Sequence, residues 1–206
     1  MYEGQFTRPA GMIYDCFDEG IHLCADRDIP DHWPLYLGVD FGGANTAVLW
    51  VAEEPGTGRL FVWDESLTGG KSTPQHAAEL LERARGRNLV AAWGGAPGEE
   101  QQRWDWSAAG LEVQRPPVGD VEAGINRVTQ LLKEKRLKLF KRCTGLRDEL
   151  GSYRRKLDKQ GQPTEEIEDK RKYHRLDALR YVAAGLVNAP VGVLPVGALG
   201  QTRRQA

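Results

Sequence analysis

Two carboxylates are placed where a side chain can reach a bound ligand. Asp40 directly follows the apolar run 35–39, which predicts that it lies at the end of a strand. Asp177 lies far downstream, inside a segment with helical periodicity. Carboxylate oxygens bind divalent metal ions that carry out phosphoryl chemistry. If the two carboxylates meet in space, the sequence predicts a nuclease.

The residues around each carboxylate leave alternatives open. Gly42 and Gly43 follow Asp40 and permit a sharp turn and close approach by a ligand, although Asp40 by itself also suits a turn. His174 lies three residues before Asp177 on the same helix face, where it can bond the carboxylate or contact a phosphate. A helical wheel puts Asp177 opposite a broad apolar arc, which is also the pattern of a solvent-facing residue.

The elements that must position these residues follow from apolar periodicity and turn signals. The segments 35–41, 46–52 and 59–67 predict three antiparallel strands. Further strands are predicted at 89–93, which we expect to be buried on both faces, at 111–114, and at 137–140 as an edge strand. Helices are predicted over 73–85, 99–109, 120–135, 146–157 and 164–187, with a loop at 158–163.

This order predicts an α/β fold with a mixed sheet and helices on both faces. It is the order of ribonuclease H-like domains, and also of the nucleotide-binding lobe of actin and sugar kinases. We expect an irregular lead-in at 1–34, the domain proper at 35–187 and a flexible tail at 188–206.

Composition narrows the class of protein. The chain has 206 residues, 40% of them hydrophobic, which is enough for one core. No apolar run approaches the roughly 20 residues that span a bilayer, and the N-terminus lacks a secretory signal, so we expect an intracellular protein without membrane contact. The net charge is -1, yet residues 131–180 contain 16 Lys and Arg against 9 Asp and Glu. That excess suits a phosphate-rich partner, or else belongs to solvated helices.

One segment resembles a known family. Residues 169–181, DKRKYHRLDALRY, resemble the closing motif of the nuclease domain of phage terminase large subunits. Residues 37–42 resemble that family's opening strand, and Glu149 with Tyr153 resembles its Glu-x-x-x-Tyr helix. The lead-in resembles the junction after the family's motor domain.

The resemblance implies a ribonuclease H-like endonuclease that cuts double-stranded DNA during viral genome packaging. Two Mg²⁺ or Mn²⁺ ions about 4 Å apart would bind the scissile phosphate, with Asp40 bridging both and Asp177 holding one. The family usually carries another acid at the end of the fourth strand, where this chain has Gly94 and Gly95. Glu99 or Glu100 is expected to replace that acid, unless both only favour a helix N-terminus.

The implied partners are double-stranded DNA, the terminase ATPase domain, the portal and the small terminase subunit, in the host cytoplasm. The chain has no Walker A motif, so we expect no ATPase activity from it. Such a nuclease contacts the phosphate backbone without reading sequence. The candidates for those contacts are Lys141, Arg154, Arg155, Lys170 and Lys172.

Three alternatives remain. A resolvase or transposase core would share the fold and the metals. An actin- or sugar-kinase-type lobe would use residues 40–46 as a phosphate loop, but the chain lacks the second lobe that such proteins need. A decayed DNA- or portal-docking module would explain the missing acid at the fourth strand.

Overall fold

A seven-stranded mixed sheet organises the chain, as the sequence predicts. The computed structural model describes residues 9–42 and 44–186. The strands are β1 (Leu23–Cys24), β2 (Leu35–Asp40), β3 (Asn45–Glu54), β4 (Arg59–Gly69), β5 (Leu89–Gly94), β6 (Val113–Gln114), β7 (Leu137–Phe140), β8 (Arg155–Leu157) and β9 (Pro163–Ile167). The α-helices are α1 (Glu19–His22), α2 (Thr73–Ala84), α3 (Glu100–Ala108), α4 (Val121–Lys133), α5 (Thr144–Ser152) and α6 (His174–Leu186). A 3₁₀ helix covers Lys170–Lys172.

The strand order in the large sheet is β1-β7-β4-β3-β2-β5-β6. The predicted meander of β2, β3 and β4 is confirmed, with Asp40 paired to Ala47 and Ala47 to Leu67. The other neighbours in this sheet pair in parallel. The carboxyl ends of β2, β4, β5 and β7 therefore share one edge of the sheet, and Asp40 lies on that edge.

Helices cover both faces of the sheet. On one face α6 crosses β2 at Gly38, where an added Cβ would lie 2.3 Å from the Ala178 carbonyl oxygen. On the other face, the Arg83 guanidinium of α2 lies 4.9 Å from the ring centroid of Trp50 and 5.3 Å from that of Trp63. The absence of a side chain at Gly38 is what allows α6 to approach the central strand so closely.

The prediction that 137–140 forms an edge strand is wrong. β7 lies inside the sheet because β1 pairs with it in parallel, matching Leu23 to Leu139. The lead-in is also more ordered than expected, since it supplies α1 and β1 and buries Tyr14 and Ile29 in the core. A two-residue strand is too short to produce a periodic pattern, so no signal in the chain indicates β1.

The predicted long helix over 164–187 is also wrong. β8 and β9 form a separate antiparallel hairpin, and α6 begins only at His174. The preceding helix likewise ends at Ser152, short of the predicted 157. Pro163 and the β-branched Thr164 favour the extended backbone over a helix.

Two further expectations concern burial and the tail. β5 is not buried on both faces throughout, because Val90 is 39% exposed. The tail at 188–206 lies outside the described residues. Among the described residues, no helix combines the length and the apolar character needed to cross a bilayer.

Candidate active site

The structure brings Asp40 and Asp177 together. Asp40 ends β2 and is 9% exposed, while Asp177 lies in the first turn of α6, one residue before the contact at Gly38. Burial, and next the Asp177 charge, raise the pKa of Asp40 to about 6, while a hydrogen bond from His174 opposes the shift. Two carboxylates from distant parts of the chain thus lie close enough at the sheet edge for the charge of one to act on the other.

His174 bonds Asp40 rather than Asp177. Its Nδ1 lies 2.7 Å from Asp40 Oδ2, and the side chain is 32% exposed. Gly42 leaves room for this ring, because an added Cβ there would lie 3.3 Å from His174 Cε1 and 2.2 Å from the Asn45 carbonyl oxygen. Gly43, the other glycine predicted to matter here, lies outside the described residues.

Asp177 is held by Arg180, three residues further along α6. The Arg180 guanidinium pairs with Asp177 Oδ1, and the Arg180 side chain is 6% exposed against 21% for Asp177. The structure therefore does not support a solvent-facing Asp177. The helical wheel missed this because α6 is buried on most of its circumference, so its polar side also faces protein.

A loop anchored to β2 follows β5. The Gly95 amide donates to the Val39 carbonyl oxygen at 3.3 Å, directly before Asp40. The buried Arg103 guanidinium donates to the carbonyl oxygens of Gly94 and Ala96 at 3.2 and 3.3 Å. These bonds fix the loop beside the end of the strand that carries Asp40.

The two candidate glutamates diverge after this loop. Glu99 is partly buried, and its Oε2 accepts a hydrogen bond from the Ala96 amide at 2.6 Å. Glu100 is exposed and pairs with Arg103 at 3.0 Å. Glu99 also adds to the raised pKa of Asp40, after the larger effects of burial and Asp177. The structure thus fixes Glu99 on the loop beside the end of β2 and leaves Glu100 at the surface.

The carboxylate oxygens of Asp40 and Asp177 suit a hard divalent cation as ligands. His174 and Arg180 each engage one oxygen of a carboxylate, and among the described residues nothing hydrogen-bonds Asp40 Oδ1 or Asp177 Oδ2. Oxygen ligands and uncompensated negative charge are what Mg²⁺ and Mn²⁺ favour. No group of three or more His, Cys, Asp and Glu side chains in the described part of the chain is arranged to hold a metal ion. The fit to a metal therefore rests on the aspartate pair.

A buried ionic network fixes the start of α6. Glu149 accepts hydrogen bonds from the Leu176 amide at 3.0 Å and from Arg175 at 3.1 Å. Arg175 also lies 3.3 Å from Glu65, which in turn accepts from two amides at the start of α5. Burial raises the pKa of Glu149 to about 7, against the opposing hydrogen bonds of Leu176 and Arg175. Glu149 thus serves as an N-terminal cap supplied by another helix.

The five candidate DNA-binding residues are not equally free to bind phosphate. Arg154 pairs with Glu168, Arg155 with Glu122 and Lys172 with Asp169. Lys141 and Lys170 are exposed, and within residues 9–42 and 44–186 neither forms an ion pair. Lys141 follows β7 and so lies at the same sheet edge as Asp40.

Comparison with known proteins identifies the fold. No family model matches the chain, and no curated protein matches it. The solved nuclease domain of the P22 large terminase matches with a TM-score of 0.67 at 22% identity, over 85% of this chain and 92% of that one. The chain has the fold of phage large terminase nuclease domains.

Two further structures extend this comparison. The terminase nuclease domain of bacteriophage SPP1, solved with bound Mn, matches with a TM-score of 0.58 at 20% identity, over 78% of this chain and 94% of that one. The large terminase of a thermophilic bacteriophage, in complex with ADP, gives a TM-score of 0.74 at 20% identity over 90% of this chain. The match covers 47% of that ADP-bound terminase, so the chain spans about half of its length. The predicted ribonuclease H-like terminase nuclease fold is thereby confirmed.

Proposed function

We propose that this chain is a metal-dependent endonuclease that cuts double-stranded DNA during viral genome packaging in the host cytoplasm. One observation carries the proposal: the first turn of α6, which contains Asp177, packs at the end of β2, where His174 Nδ1 lies 2.7 Å from Asp40 Oδ2. This arrangement lies in a fold shared with terminase nuclease domains, one of them solved with bound Mn.

Asp40 and Asp177 would hold the two Mg²⁺ or Mn²⁺ ions. Bound there, such ions would supply an activated water and a positive charge that stabilises the leaving oxygen. His174 holds Asp40 Oδ2 and so directs Oδ1 toward the site, and Arg180 does the same for Asp177 through Oδ1. Both are positioning residues, because each fixes a carboxylate that would otherwise rotate.

The substrate contacts follow from charge. Lys141 and Lys170 are the candidate cations without an acidic partner in the described part of the chain. Lys141 follows β7 at the edge that carries Asp40, and Lys170 precedes by four residues His174, which bonds Asp40. Such contacts bind phosphate regardless of sequence. The choice of cutting position would then come from other components, for which we propose the terminase ATPase domain, the small terminase subunit and the portal.

A plasmid assay tests the proposal. Supercoiled plasmid is incubated with Mn²⁺ and the wild-type chain, Asp40→Ala or Asp177→Ala, and the nicked and linear products are quantified. The proposal predicts cleavage by the wild type and loss of cleavage in both variants. No cleavage by the wild type, or cleavage unchanged by both substitutions, would contradict it.

A DNA- or portal-docking module without catalytic activity is the second candidate. It is favoured by one observation, the absence of an acid at Gly94 and Gly95. This alternative predicts duplex binding without cleavage in the same assay. A resolvase or transposase would instead be distinguished by branched-DNA cleavage or joined strands among the products.

A further inference from the structure

We infer that the phenol hydroxyls of Tyr14 and Tyr153 hold the buried guanidinium of Arg180 in place. Because Arg180 pairs with Asp177, the two tyrosines are positioning residues for the proposed site, and one of them comes from the lead-in. The inference rests on the proposed function. Three observations support it: the lead-in bonds the backbone that carries Tyr153, the two phenol rings stack in the core, and their hydroxyls share a buried region with Arg180.

The lead-in pairs with the segment that follows α5. The Ile13 amide donates to the Tyr153 carbonyl oxygen at 2.9 Å. Two residues further along, the Arg155 amide donates to the Gly11 carbonyl oxygen at 2.8 Å. These backbone bonds hold the lead-in against the end of α5 and set Tyr14, the residue after Ile13, beside Tyr153. The lead-in is therefore bonded directly to the segment that connects α5 to the β8–β9 hairpin.

The two phenol rings are stacked and buried. The ring centroids of Tyr14 and Tyr153 lie 5.5 Å apart at an interplanar angle of 21°. Tyr14 is 1% exposed and Tyr153 is 0% exposed. The Tyr153 ring also meets the Tyr173 ring edge-on, with centroids 4.7 Å apart, and the Tyr173 carbonyl oxygen accepts a hydrogen bond from the Asp177 amide at 3.1 Å. The stacked tyrosines thus border the first turn of α6.

Three buried polar atoms in this region have no hydrogen-bond partner within the described residues. They are the hydroxyl oxygens of Tyr14 and Tyr153 and the Nε of Arg180. Buried polar groups in native proteins are bonded to protein or to an ordered water, because an unbonded group keeps the full cost of its removal from bulk water. A phenol oxygen accepts the N–H that a guanidinium donates. The three atoms therefore satisfy one another, directly or through a water that they share.

The electrostatics agree with this proximity. Burial raises the pKa of Tyr14 most and Tyr153 raises it further, whereas the positive charge of Arg180 lowers it. Burial also raises the pKa of Tyr153, and the next largest influence is again Arg180, which lowers it. The Asp177 charge acts on both phenols. Because Coulomb interactions weaken with distance, both hydroxyls lie close to the pair of Arg180 and Asp177.

The helix α4 encloses Arg180 on another side. An added Cβ at Gly124 would lie 3.3 Å from the Cβ and the Cδ of Arg180 and 3.4 Å from its Nη1. The absence of a side chain at Gly124 thus allows α4 to pack along the arginine. The two tyrosines complete the enclosure, so loss of their hydroxyls leaves the guanidinium, and the Asp177 carboxylate that it holds, less well fixed.

Mn²⁺ binding to the full chain, measured by titration calorimetry without DNA, tests the inference. Tyr14→Phe and Tyr153→Phe, made singly and together, remove the hydroxyls and keep the stacked rings. Tyr36→Phe is the matched control, because it removes a buried hydroxyl from β2 that bonds Glu53 at 3.0 Å. Asp177→Asn reports on the site itself. Thermal unfolding without metal verifies that each variant is folded.

The expected result is a Kd for Mn²⁺ raised about tenfold in the Tyr14→Phe, Tyr153→Phe double variant and unchanged in Tyr36→Phe, since loss of an outer partner of a metal ligand costs about 10–100-fold. The plasmid nicking rate should fall in parallel. Arg180→Lys keeps a cation beside Asp177 but has no Nε–H of a guanidinium. If the tyrosines act through Arg180, their replacement in the Arg180→Lys background should change the Kd much less.

Two results would overturn the inference and leave the proposed function intact. One is wild-type affinity in the double variant together with lost affinity in Asp177→Asn. The other is an effect of the double variant that is equally large in the Arg180→Lys background, because the tyrosines would then act by another route. No Mn²⁺ binding by the wild type would overturn both proposals.

Discussion

The bond between His174 and Asp40 sets the orientation of one central carboxylate. A helical pattern placed His174 and Asp177 on one face. The partner of each side chain, however, depends on how α6 crosses β2, and this tertiary contact cannot be read from the sequence. The residue types and the family resemblance singled out Asp40, Asp177 and His174, which the structure places at the end of β2 and the start of α6. They did not predict the pairing of His174 with Asp40 or of Asp177 with Arg180.

Replacement of His174 by alanine should reduce plasmid cleavage about 10–100-fold, because Asp40 loses the donor that orients it. His174→Asn keeps a donor near the position of Nδ1 and should recover most of the activity. Initial nicking rates at saturating Mn²⁺ measure both variants. Equal rates for alanine and asparagine would contradict a positioning role for His174.

Glu149 should make stability depend on pH. Its pKa is raised in the folded protein to about 7 from an ordinary 4.5, mainly by burial. The folded state therefore binds this proton more tightly, and the associated stability is present below pH 4.5 and lost as the pH rises through 7.

Glu149→Gln cannot ionise, so its free energy of unfolding relative to the wild type should increase by up to about 3 kcal/mol over that pH window. Urea unfolding of both proteins at pH 4.5, 6 and 8 provides the comparison. A difference between the two proteins that stays constant across the three pH values would show that the carboxyl titrates normally.

At the level of the secondary-structure elements, Gly38 determines how closely α6 packs on β2. Gly38→Ala should destabilise the fold by about 1–3 kcal/mol, because the added methyl group meets the Ala178 carbonyl oxygen and Val182. It should also reduce cleavage, because α6 carries Asp177. Gly151→Ala in α5 is the matched control, since nothing lies within 4 Å of the added Cβ and stability should rise slightly. Equal stability and activity in the two variants would contradict this account of the packing.

The elements themselves were predictable where the apolar pattern was long. The β2–β4 meander, α2 and α4 were predicted to within a few residues, because continuous buried apolar runs mark the strands and the buried positions of the two helices recur with a helical period. The hairpin of β8 and β9 was not predicted. Its two short strands are mostly exposed and carry charged residues, such as Lys156 and Glu166 paired across them at 2.6 Å, so no apolar alternation marks them in the sequence.

Across the whole molecule, the expected DNA contacts depend more on where a positive charge lies and whether it is paired than on the number of positive charges. Of the 16 Lys and Arg residues in 131–180, nine form ion pairs. Three of the five predicted DNA contacts are among those nine, which leaves Lys141 and Lys170. Sequence counting could not separate free from paired charges, because ion pairs such as Arg155 with Glu122 join distant segments.

The double variant Lys141→Ala, Lys170→Ala should bind duplex DNA more weakly at every sequence. It should also lower the slope of log K against log salt by roughly two, because about one counterion is released per contact. Fluorescence anisotropy at several salt concentrations measures this slope. The control is Lys133→Ala with Lys135→Ala, which removes two exposed charges that precede the amino end of β7, at the opposite sheet edge, and that form no ion pair among the described residues. An equal change of slope in the control would mean that DNA does not select the Asp40 edge.

The central claim is that Asp40 and Asp177 jointly hold the catalytic metal. Crystals soaked in Mn²⁺ and measured at the manganese absorption edge show directly which atoms contact the ion. The account predicts anomalous density bonded to the free oxygens of Asp40 and Asp177. Density at other residues, or an ordered site without density at high Mn²⁺ concentration, would contradict it.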